Sequence, residues 1–320
     1  MRYALPKPAP LVSIVIPTKD HVVTLDACVM SIAENATYAN YEIVLVENNS
    51  EDPETFAHYE ALPERVTAVS DGKGSARVEY WPGEFNYSKI INYGVGCAKG
   101  DYLLLLNNDT KVIVPGFIEE LMGYLQRPDA GVVGAKLFFT DHPVQHDGIL
   151  IGVRGALAHA NQDFSAKREG YLARAVRPGN FSAITGACQM VHRDVFEQVE
   201  GYDEEFAVGF NDADFCLRVW EAGHCTIFTP YAELYHYEFT SRGREEANEE
   251  KLRRWKREQA LFMQRWPEFF LNGDPWLGPN LALARSDAKV RQSILKSRKS
   301  GGVQVLLVQT ALVITKMRVS

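Results

Sequence analysis

The sequence lacks the features that mark disulfide-rich and secreted proteins. Its five cysteines form no C-x-x-C pair, and the N-terminal segment contains no apolar secretory core. An odd number of cysteines without a signal peptide is typical of reduced thiols in a cytosol. We therefore expect no structural disulfides and a cytoplasmic location.

Two common nucleotide-binding signatures are also missing. No G-x-G-x-x-G follows the first predicted strand, so a dinucleotide-binding Rossmann site has little support. The segment Gly72-Lys73-Gly74-Ser75 does not have the spacing of a phosphate-binding loop. A nucleotidyltransferase that makes activated sugars would need a Gly-rich basic loop after the first strand, and the sequence has Pro17-Thr18-Lys19-Asp20 there.

Basic residues are scarce in most of the chain and concentrated at its end. The formal net charge is −7, yet residues 285–320 carry eight Lys or Arg and one Asp, a local +7. The other residues hold 26 basic and 40 acidic side chains, or −14. Nucleic acid is therefore not an expected partner, because its binding needs a basic face.

The terminal segment 285–320 places its basic residues before an apolar stretch at 303–315. That order resembles a surface membrane anchor, although the stretch is shorter than the roughly 20 residues that cross a bilayer. A docked C-terminal strand or helix, or an oligomer contact, is the alternative interpretation.

Length and composition fit one large α/β domain or two ordinary ones, with 320 residues and a hydrophobic fraction of 46%. Apolar runs at 11–16 and 41–46 are predicted strands, and 25–33 has helical spacing. Strand, helix and strand with polar residues at both strand tips form the βαβ unit of a parallel sheet. Further predicted elements are a strand at 78–81, helices at 86–98 and 115–125, strands at 131–139, 183–191 and 225–228, and helices at 193–199, 211–222 and 244–266.

A buried strand at Leu103–Leu106 is expected to organise the rest, because it ends in Asn107-Asn108-Asp109. In open α/β sheets ligands bind where the carboxyl ends of the strands point. A hard cation such as Mg²⁺ or Mn²⁺ prefers oxygen ligands and often takes one or two carboxylates beside substrate phosphate and water. Asp109 is thus a candidate metal ligand. An ordinary Asn-Asp turn is the alternative.

Two other groups of residues are weaker candidates. His142, His146 and His159 lie in a loop-rich region, but their spacing fits neither one helix face nor a zinc pattern. Leu252, Trp255, Phe262 and Trp266 form a stripe along the 244–266 helix, a pattern that favours packing over a binding site.

Seven motifs follow one another between residues 11 and 243: Val15-Ile-Pro-Thr-Lys-Asp20, Val46-Glu-Asn-Asn-Ser50, Phe85-Asn-Tyr-Ser-Lys89, Leu106-Asn-Asn-Asp-Thr110, Ile184-Thr-Gly-Ala187, Phe210-Asn-Asp-Ala-Asp-Phe-Cys-Leu-Arg218 and His236-Tyr-Glu238. In this order they resemble a family 2 glycosyltransferase with the A-type nucleotide-sugar (GT-A) fold. The Asn-Asn-Asp and Asn-Asp-Ala-Asp-Phe variants lean toward rhamnosyltransferase-like relatives.

The resemblance implies an α/β fold with a mostly parallel sheet flanked by helices. A linker at 1–10 would precede a catalytic domain at 11–243, divided into a Rossmann-like nucleotide-binding half (11–110) and an acceptor-binding half (111–243). A helical C-terminal extension at 244–284 and the basic and apolar tail at 285–320 would follow.

The resemblance also assigns roles to individual residues. Donor-binding residues would be Pro17, Thr18, Glu47, Asn49, Lys89, Asn92, Asn107 and Asn108. Asp109 and His236 would hold a divalent metal, and Asp212 would be the catalytic base. The acceptor and sugar pocket would include Thr185, Gly186, Asn211 and Asp214.

The implied activity moves a sugar from a nucleoside diphosphate-sugar to a glycan or lipid-linked acceptor of cell-surface polysaccharide, with inversion of configuration. Such an enzyme would lie in the cytoplasm, either free or bound peripherally to the inner face of the membrane. Two positions depart from the usual pattern: Asn107 stands where many relatives have Asp, and Asn211, which cannot act as a base, precedes Asp212. The alternative hypothesis is a non-catalytic nucleotide-sugar-binding module of a larger glycan synthase.

Overall fold

The computed structural model describes residues 3–237 and 248–284. Its strands are β1 (Val12–Thr18), β2 (Tyr41–Glu47), β3 (Gly74–Tyr80), β4 (Tyr102–Leu106), β5 (Thr110–Val112), β6 (Ala130–Phe138), β7 (Val144–His146), β8 (Ile149–Ile151), β9 (Leu157–His159), β10 (Gly179–Asn180), β11 (Cys188–His192) and β12 (Cys225–His236). Its α-helices are α1 (Val22–Asn35), α2 (Pro53–Val69), α3 (Tyr87–Cys97), α4 (Phe117–Tyr124), α5 (Arg193–Gln198), α6 (Asn211–Glu221), α7 (Glu249–Arg265) and α8 (Pro267–Asn272).

Ten of these strands form one sheet in the order β10-β12-β6-β11-β4-β1-β2-β3, with β5 and β7 paired to β12 and β6. The strands β4, β1, β2 and β3 are parallel to one another. Strand β11 runs antiparallel between β4 and β6, and β12 pairs parallel with β6. The predicted α/β class is therefore confirmed, with the parallel pairing concentrated in the first half and a mixed second half.

The sheet separates two hydrophobic cores, because side chains alternate between its faces. On β1, Ile14 and Ile16 belong to the core covered by α1, α2 and α4. Val15 belongs to the core covered by α3, α5, α6 and α7. Both predicted halves of the chain therefore contribute strands to the same sheet.

Several predicted elements differ from those observed. Helix α2 was not predicted. It begins at Pro53, directly after the N-cap Asp52, and contains Pro63, although proline usually ends or kinks a helix. The expected helix at 115–125 starts only at Phe117, which leaves Pro115 before its first turn. The expected strand at 183–191 starts only at Cys188, and the residues before it form a loop.

The ends of the described chain pack against the domain. Residues 3–10 have no regular secondary structure. The ring of Tyr3 packs edge-on against the ring of Tyr124, with 5.4 Å between the ring centroids. In α7 and after it, Phe262 and Trp266 are buried in the same core as the sheet. The predicted boundary at 243 and the tail at 285–320 lie outside the described residues.

All five cysteines are free, as expected from their spacing. In residues 3–237 and 248–284, no helix is both long and apolar enough to cross a bilayer.

Candidate active site

A cleft of about 750 Å³ opens where β1 and β4 end. The residues that follow these two strands line it together with the loop before β11, the start of α6 and the end of β12. The predicted site residues in its lining are Pro17, Thr18, Asn107, Asn108, Asp109, Thr185, Gly186, Asn211, Asp212 and His236. The strand ends thus bring together residues far apart in the sequence, as expected for an α/β sheet.

Asp109 and His236 face each other in this cleft. The pairing of β5 with β12 places His236 opposite Thr110, and the two side chains approach to 3.2 Å between Nε2 of His236 and Oδ1 of Asp109. The backbone N–H of Tyr237 also donates to the carbonyl of Asp109 at 2.8 Å. This short two-stranded pairing therefore sets the distance between the two predicted metal ligands.

Gln145 fixes the orientation of the His236 ring. Its Nε2 donates to the carbonyl of His236 at 3.3 Å, which leaves its Oε1 to accept from Nδ1 of the same histidine at 2.7 Å. With Nδ1 donating to Gln145, the other ring nitrogen, Nε2, faces Oδ1 of Asp109 at 3.2 Å.

This donor set fits a divalent cation. One carboxylate and one imidazole are protein ligands that Mn²⁺ accepts, and phosphate oxygens and water would complete its coordination. Among residues 3–237 and 248–284, no group of three or more His, Cys, Asp or Glu side chains is arranged to hold a metal. A cation held by Asp109 and His236 would take its remaining ligands from substrate oxygens and water.

The two asparagines before Asp109 tie neighbouring strand ends together. Asn107 accepts from the hydroxyl of Tyr87 at 3.1 Å and lies 3.3 Å from Nε2 of His236. Asn108 donates to Oγ1 of Thr18 at 3.2 Å. Asn108 therefore links the ends of β4 and β1, whereas Asn107 lies between Tyr87 of α3 and His236 at the end of β12.

Asp212 lies at the start of α6 and is held by two backbone N–H groups. One carboxylate oxygen accepts from Gly186 at 2.9 Å and the other from Ala213 at 2.8 Å. Burial raises the pKa of Asp212 above its ordinary value, and these hydrogen bonds offset part of that rise. A carboxylate with a raised pKa accepts a proton more readily, which suits a general base.

Asp214 does not face the cleft, contrary to our expectation. It is fully buried and accepts hydrogen bonds from Arg218 at 2.8 Å, Arg265 at 3.0 Å and Nε1 of Trp266 at 3.0 Å. Two residues correspond to about 200° around a helix, so Asp212 and Asp214 point in nearly opposite directions. Asp214 therefore anchors the end of α7 to α6.

Lys89 and Asn92 also lie outside the lining of the cleft. Asn92 donates to the carbonyl of Tyr202 at 2.8 Å, and Nζ of Lys89 lies 4.0 Å from Glu204. On α3, the cleft is lined instead by Tyr87 and Ile90. The predicted helix is correct, but its exposed polar face packs beside the 202–204 segment.

The predicted donor residues Glu47 and Asn49 are likewise not in the lining. Glu47 is buried and accepts from the backbone N–H of Ser50, while Asn49 donates to the carbonyl of Gly83 at 2.9 Å. Asn48, between them, lines the cleft and bonds to the carbonyls of Trp81 and Gly83. Of residues 47–49, only Asn48 lines the cleft, and it was not among the residues predicted from the sequence.

Helix α7 contributes cleft residues that the sequence analysis did not single out as a site. The lining includes Lys251, Arg254, Trp255 and Gln259. Their spacing places them on one face of the helix, a signal that was visible in the sequence. Trp255 therefore borders the cleft, whereas Phe262 and Trp266 of the same stripe are buried in the core.

The histidines of the 140–180 region do not form a three-histidine site. His146 and His159 approach to 2.9 Å between their Nδ1 atoms, but His142 instead contacts the hydroxyl of Tyr235 at 2.9 Å. Burial lowers the pKa of His159 to about 4 and that of His146 well below its ordinary value. The pair is consequently neutral at physiological pH.

Comparison with protein families finds a match to the model described as glycosyltransferase like family 2 over residues 8–259. The chain is 39% identical over 282 residues to the uncharacterized protein y4gI of Sinorhizobium fredii, covering 87% of this chain and 30% of that protein. It is 33% identical over 288 residues to the O-antigen biosynthesis protein RfbC of Myxococcus xanthus, covering 88% and 21%. It thus spans less than a third of the length of these two relatives.

A third relative is the N-acetylglucosaminyl-diphospho-decaprenol L-rhamnosyltransferase of Mycobacterium tuberculosis. It is 29% identical over 211 residues, which cover 62% of this chain and 67% of that protein.

Two solved structures share the fold. GalNAc-T7 with UDP, GalNAc and Mn²⁺ superposes with a TM-score of 0.58 at 15% identity, covering 83% of this chain and 50% of that chain. The mannosyltransferase PcManGT from Pyrobaculum calidifontis, in complex with GDP-Man and Mn²⁺, superposes with a TM-score of 0.57 at 13% identity, covering 95% and 80%. At such identities these similarities show the fold alone, and they confirm the expected GT-A architecture.

Proposed function

Because the chain belongs to glycosyltransferase family 2, we propose that it transfers a sugar, with inversion, from a nucleoside diphosphate-sugar to a hydroxyl of a glycan or lipid-linked acceptor. The observation that carries this proposal is the convergence of Asp109, His236 and Asp212 on one cleft. The similarity to RfbC and to the N-acetylglucosaminyl-diphospho-decaprenol L-rhamnosyltransferase supports a deoxyhexose or hexose donor and a role in cell-surface polysaccharide synthesis.

In this proposal the donor binds across the strand ends. Pro17, Thr18 and Asn48 border the side where the nucleoside would lie, and Asp109 with His236 would hold a divalent cation beside the diphosphate. A cation bound there would neutralise the charge that develops on the departing diphosphate. Gln145 contributes by holding His236 in position through one hydrogen bond to the ring and one to its backbone carbonyl.

Asp212 is the proposed general base for the acceptor. Its carboxylate is positioned by the N–H groups of Gly186 and Ala213, and it would take the proton of the acceptor hydroxyl as that oxygen attacks the anomeric carbon. Proton transfer to a positioned base contributes about 10²- to 10⁴-fold to such reactions. Attack opposite the departing diphosphate inverts the anomeric configuration.

The test of this proposal is Asp212→Asn. We expect the variant to lose transfer by at least about 100-fold while it still binds the nucleoside diphosphate, because the amide cannot accept the proton but keeps the shape of the side chain. Asp141→Asn, on the exposed 139–142 turn, is the matched control. Near-native turnover of Asp212→Asn would remove it from the base role.

A non-catalytic binding module is the alternative, since Asn107 replaces the first acid of the metal motif. Release of free sugar from the donor separates the two hypotheses, because an active transferase also passes some sugar to water. A thermal-shift panel of nucleotide sugars with Mn²⁺ identifies the donor. We further propose that the reaction takes place on the cytoplasmic side of the membrane, where the five free thiols would stay reduced.

A further inference from the structure

Helix α7 presents a mixed aromatic and cationic face to the cleft. Lys251, Arg254, Trp255 and Gln259 line it, whereas Lys256 and Arg257 of the same helix are exposed on another side. Arg254, Trp255 and Gln259 lie three, four and eight residues after Lys251, so all four share one side of the helix. These four side chains therefore line the cleft together.

The indole of Trp255 lies against the loop that leads into Asp212. Its ring is centred 5.8 Å from the ring of Phe210, two residues before Asp212. A Cβ placed on Gly209 would lie 3.5 Å from Cδ1 of Trp255, so the indole also covers this backbone. Trp255 is half-buried and lines the same cleft as Asp212, so it offers an aromatic surface to a ligand in the cleft.

Arg254 is directed to the same loop through Glu258. Nε of Arg254 lies 4.0 Å from Oε1 of Glu258, and that carboxylate accepts from the N–H groups of Ala207 at 3.0 Å and Gly209 at 2.8 Å. The cationic face of α7 and the loop before Asp212 are therefore joined by one buried carboxylate.

Within the cleft, α7 borders the Asp212 side through its contact with the segment before that residue. Asp109 and His236 stand at the ends of β4 and β12, whereas α7 contacts the segment that precedes Asp212. In a single displacement the attacking hydroxyl must approach from the side opposite the leaving diphosphate. The acceptor must then enter on the Asp212 side, where the face of α7 lies.

We infer that α7 is the acceptor-binding wall of the cleft: Trp255 stacks on an acceptor sugar, and Lys251 with Arg254 binds an anionic group of the acceptor. This inference rests on the proposed glycosyl transfer. A pyranose ring has an apolar face of C–H groups that packs on an aromatic ring, and an adjacent cation pair suits a phosphate or carboxylate. The anion would be the diphosphate of a lipid-linked acceptor or the carboxylate of an acidic sugar.

The aromatic part is tested with Trp255→Ala and Trp255→Phe. We expect the alanine variant to raise the acceptor KM by about tenfold or more, as for removal of an aromatic contact at a binding hot spot, with a much smaller change in the donor KM. The phenylalanine variant should recover most of the affinity. Unchanged acceptor KM in Trp255→Ala would overturn the stacking role.

The cationic part is tested with Lys251→Ala and Arg254→Ala, with Lys256→Ala and Arg257→Ala as controls of equal charge on the same helix. Three acceptors are compared: a prenyl diphosphate-linked sugar, a neutral alkyl glycoside of the same sugar, and an alkyl glycoside of a uronic acid. We expect the two cleft variants to lose affinity for only one charged acceptor, and that acceptor identifies the source of the anion. Equal losses with the neutral glycoside, or weakened binding of the nucleoside diphosphate, would overturn the assignment.

Calorimetric binding of the same acceptors, in the presence of nucleoside diphosphate and Mn²⁺, keeps the two proposals distinguishable. A wild-type protein that binds an acceptor through Lys251, Arg254 and Trp255 without any transfer or donor hydrolysis would refute the catalytic proposal alone. Active transfer with acceptor binding that is the same in all four cation variants and in Trp255→Ala would refute the acceptor wall alone.

Discussion

Glu258 offers a sharp test of how the loop before Asp212, the proposed base, is held. Its side chain is 1% exposed, and its two oxygens accept from the backbone N–H groups of Ala207 and Gly209. The carbonyl of Ala207 in turn accepts from the N–H of Tyr87 at 2.7 Å, so the loop is fixed between α3 and α7. Glu258→Ala removes the α7 side of this support.

The expected loss follows from the two hydrogen bonds. A backbone N–H left without its acceptor costs about 1–3 kcal/mol when buried. Both N–H groups are half-buried, and water entering the space offsets part of the loss. We therefore expect Glu258→Ala to lower the free energy of unfolding by about 2–3 kcal/mol, and Glu258→Gln, which keeps one acceptor oxygen, by about half as much.

The same change should also slow transfer. The loop continues through Phe210, whose φ of 65° is in the left-handed region, to Asp212, so a released loop would displace this proposed base. A displacement of about 1 Å lowers rates by up to about 100-fold. We expect kcat to fall by about 10- to 100-fold with little change in the donor KM.

Equilibrium urea unfolding and steady-state kinetics measure these effects. Glu60→Ala, an exposed carboxylate in the middle of α2, is the control and should change neither quantity appreciably. Unfolding within about 0.5 kcal/mol of wild type together with a native kcat would refute the supporting role of Glu258, since surface substitutions cause changes of that size.

Three further predictions concern other buried or chelating groups. Asp109→Ala should reduce the affinity for a nucleoside diphosphate in Mn²⁺ to its metal-free level, and equal calorimetric affinities with and without Mn²⁺ in the wild type would contradict this. Asp214→Ala should destabilise the fold by about 3–5 kcal/mol, because it removes a buried carboxylate that accepts from Arg218, Arg265 and Nε1 of Trp266, and a urea midpoint close to that of wild type would contradict it. Burial raises the pKa of Asp147 to about 7. The folded state thus binds this proton more tightly than the unfolded chain, so stability should fall as pH rises from about 4 through 7 by a few kcal/mol, and thermal scans of Asp147→Asn should lack that part of the pH dependence.

The strand ends were the most predictable part of this molecule. A run such as Leu103–Leu106 followed by Asn107 can be buried only as a strand, and its polar end must emerge at the edge of the sheet. The ends of β1 and β12 and the start of α6 meet at that edge. The sequence therefore predicted that Asp109, His236 and Asp212 lie near one another.

The faces of helices were harder to predict. Asp212 and Asp214 are both acidic residues in the first turn of α6, and only packing against α7 decides which one is buried. The stripe on α7 was interpreted as core, which is correct for Phe262, but Trp255 also borders the cleft. Sequence periodicity shows which residues share a face, but not what that face meets in the folded chain.

The central claim is a single displacement in which Asp212 activates the acceptor opposite the departing diphosphate. The anomeric configuration of the product, measured by ¹H NMR with the donor found in the thermal-shift panel, tests it most directly. We predict a product whose anomeric configuration is opposite to that of the donor sugar. A product that retains the configuration of the donor would contradict the claim.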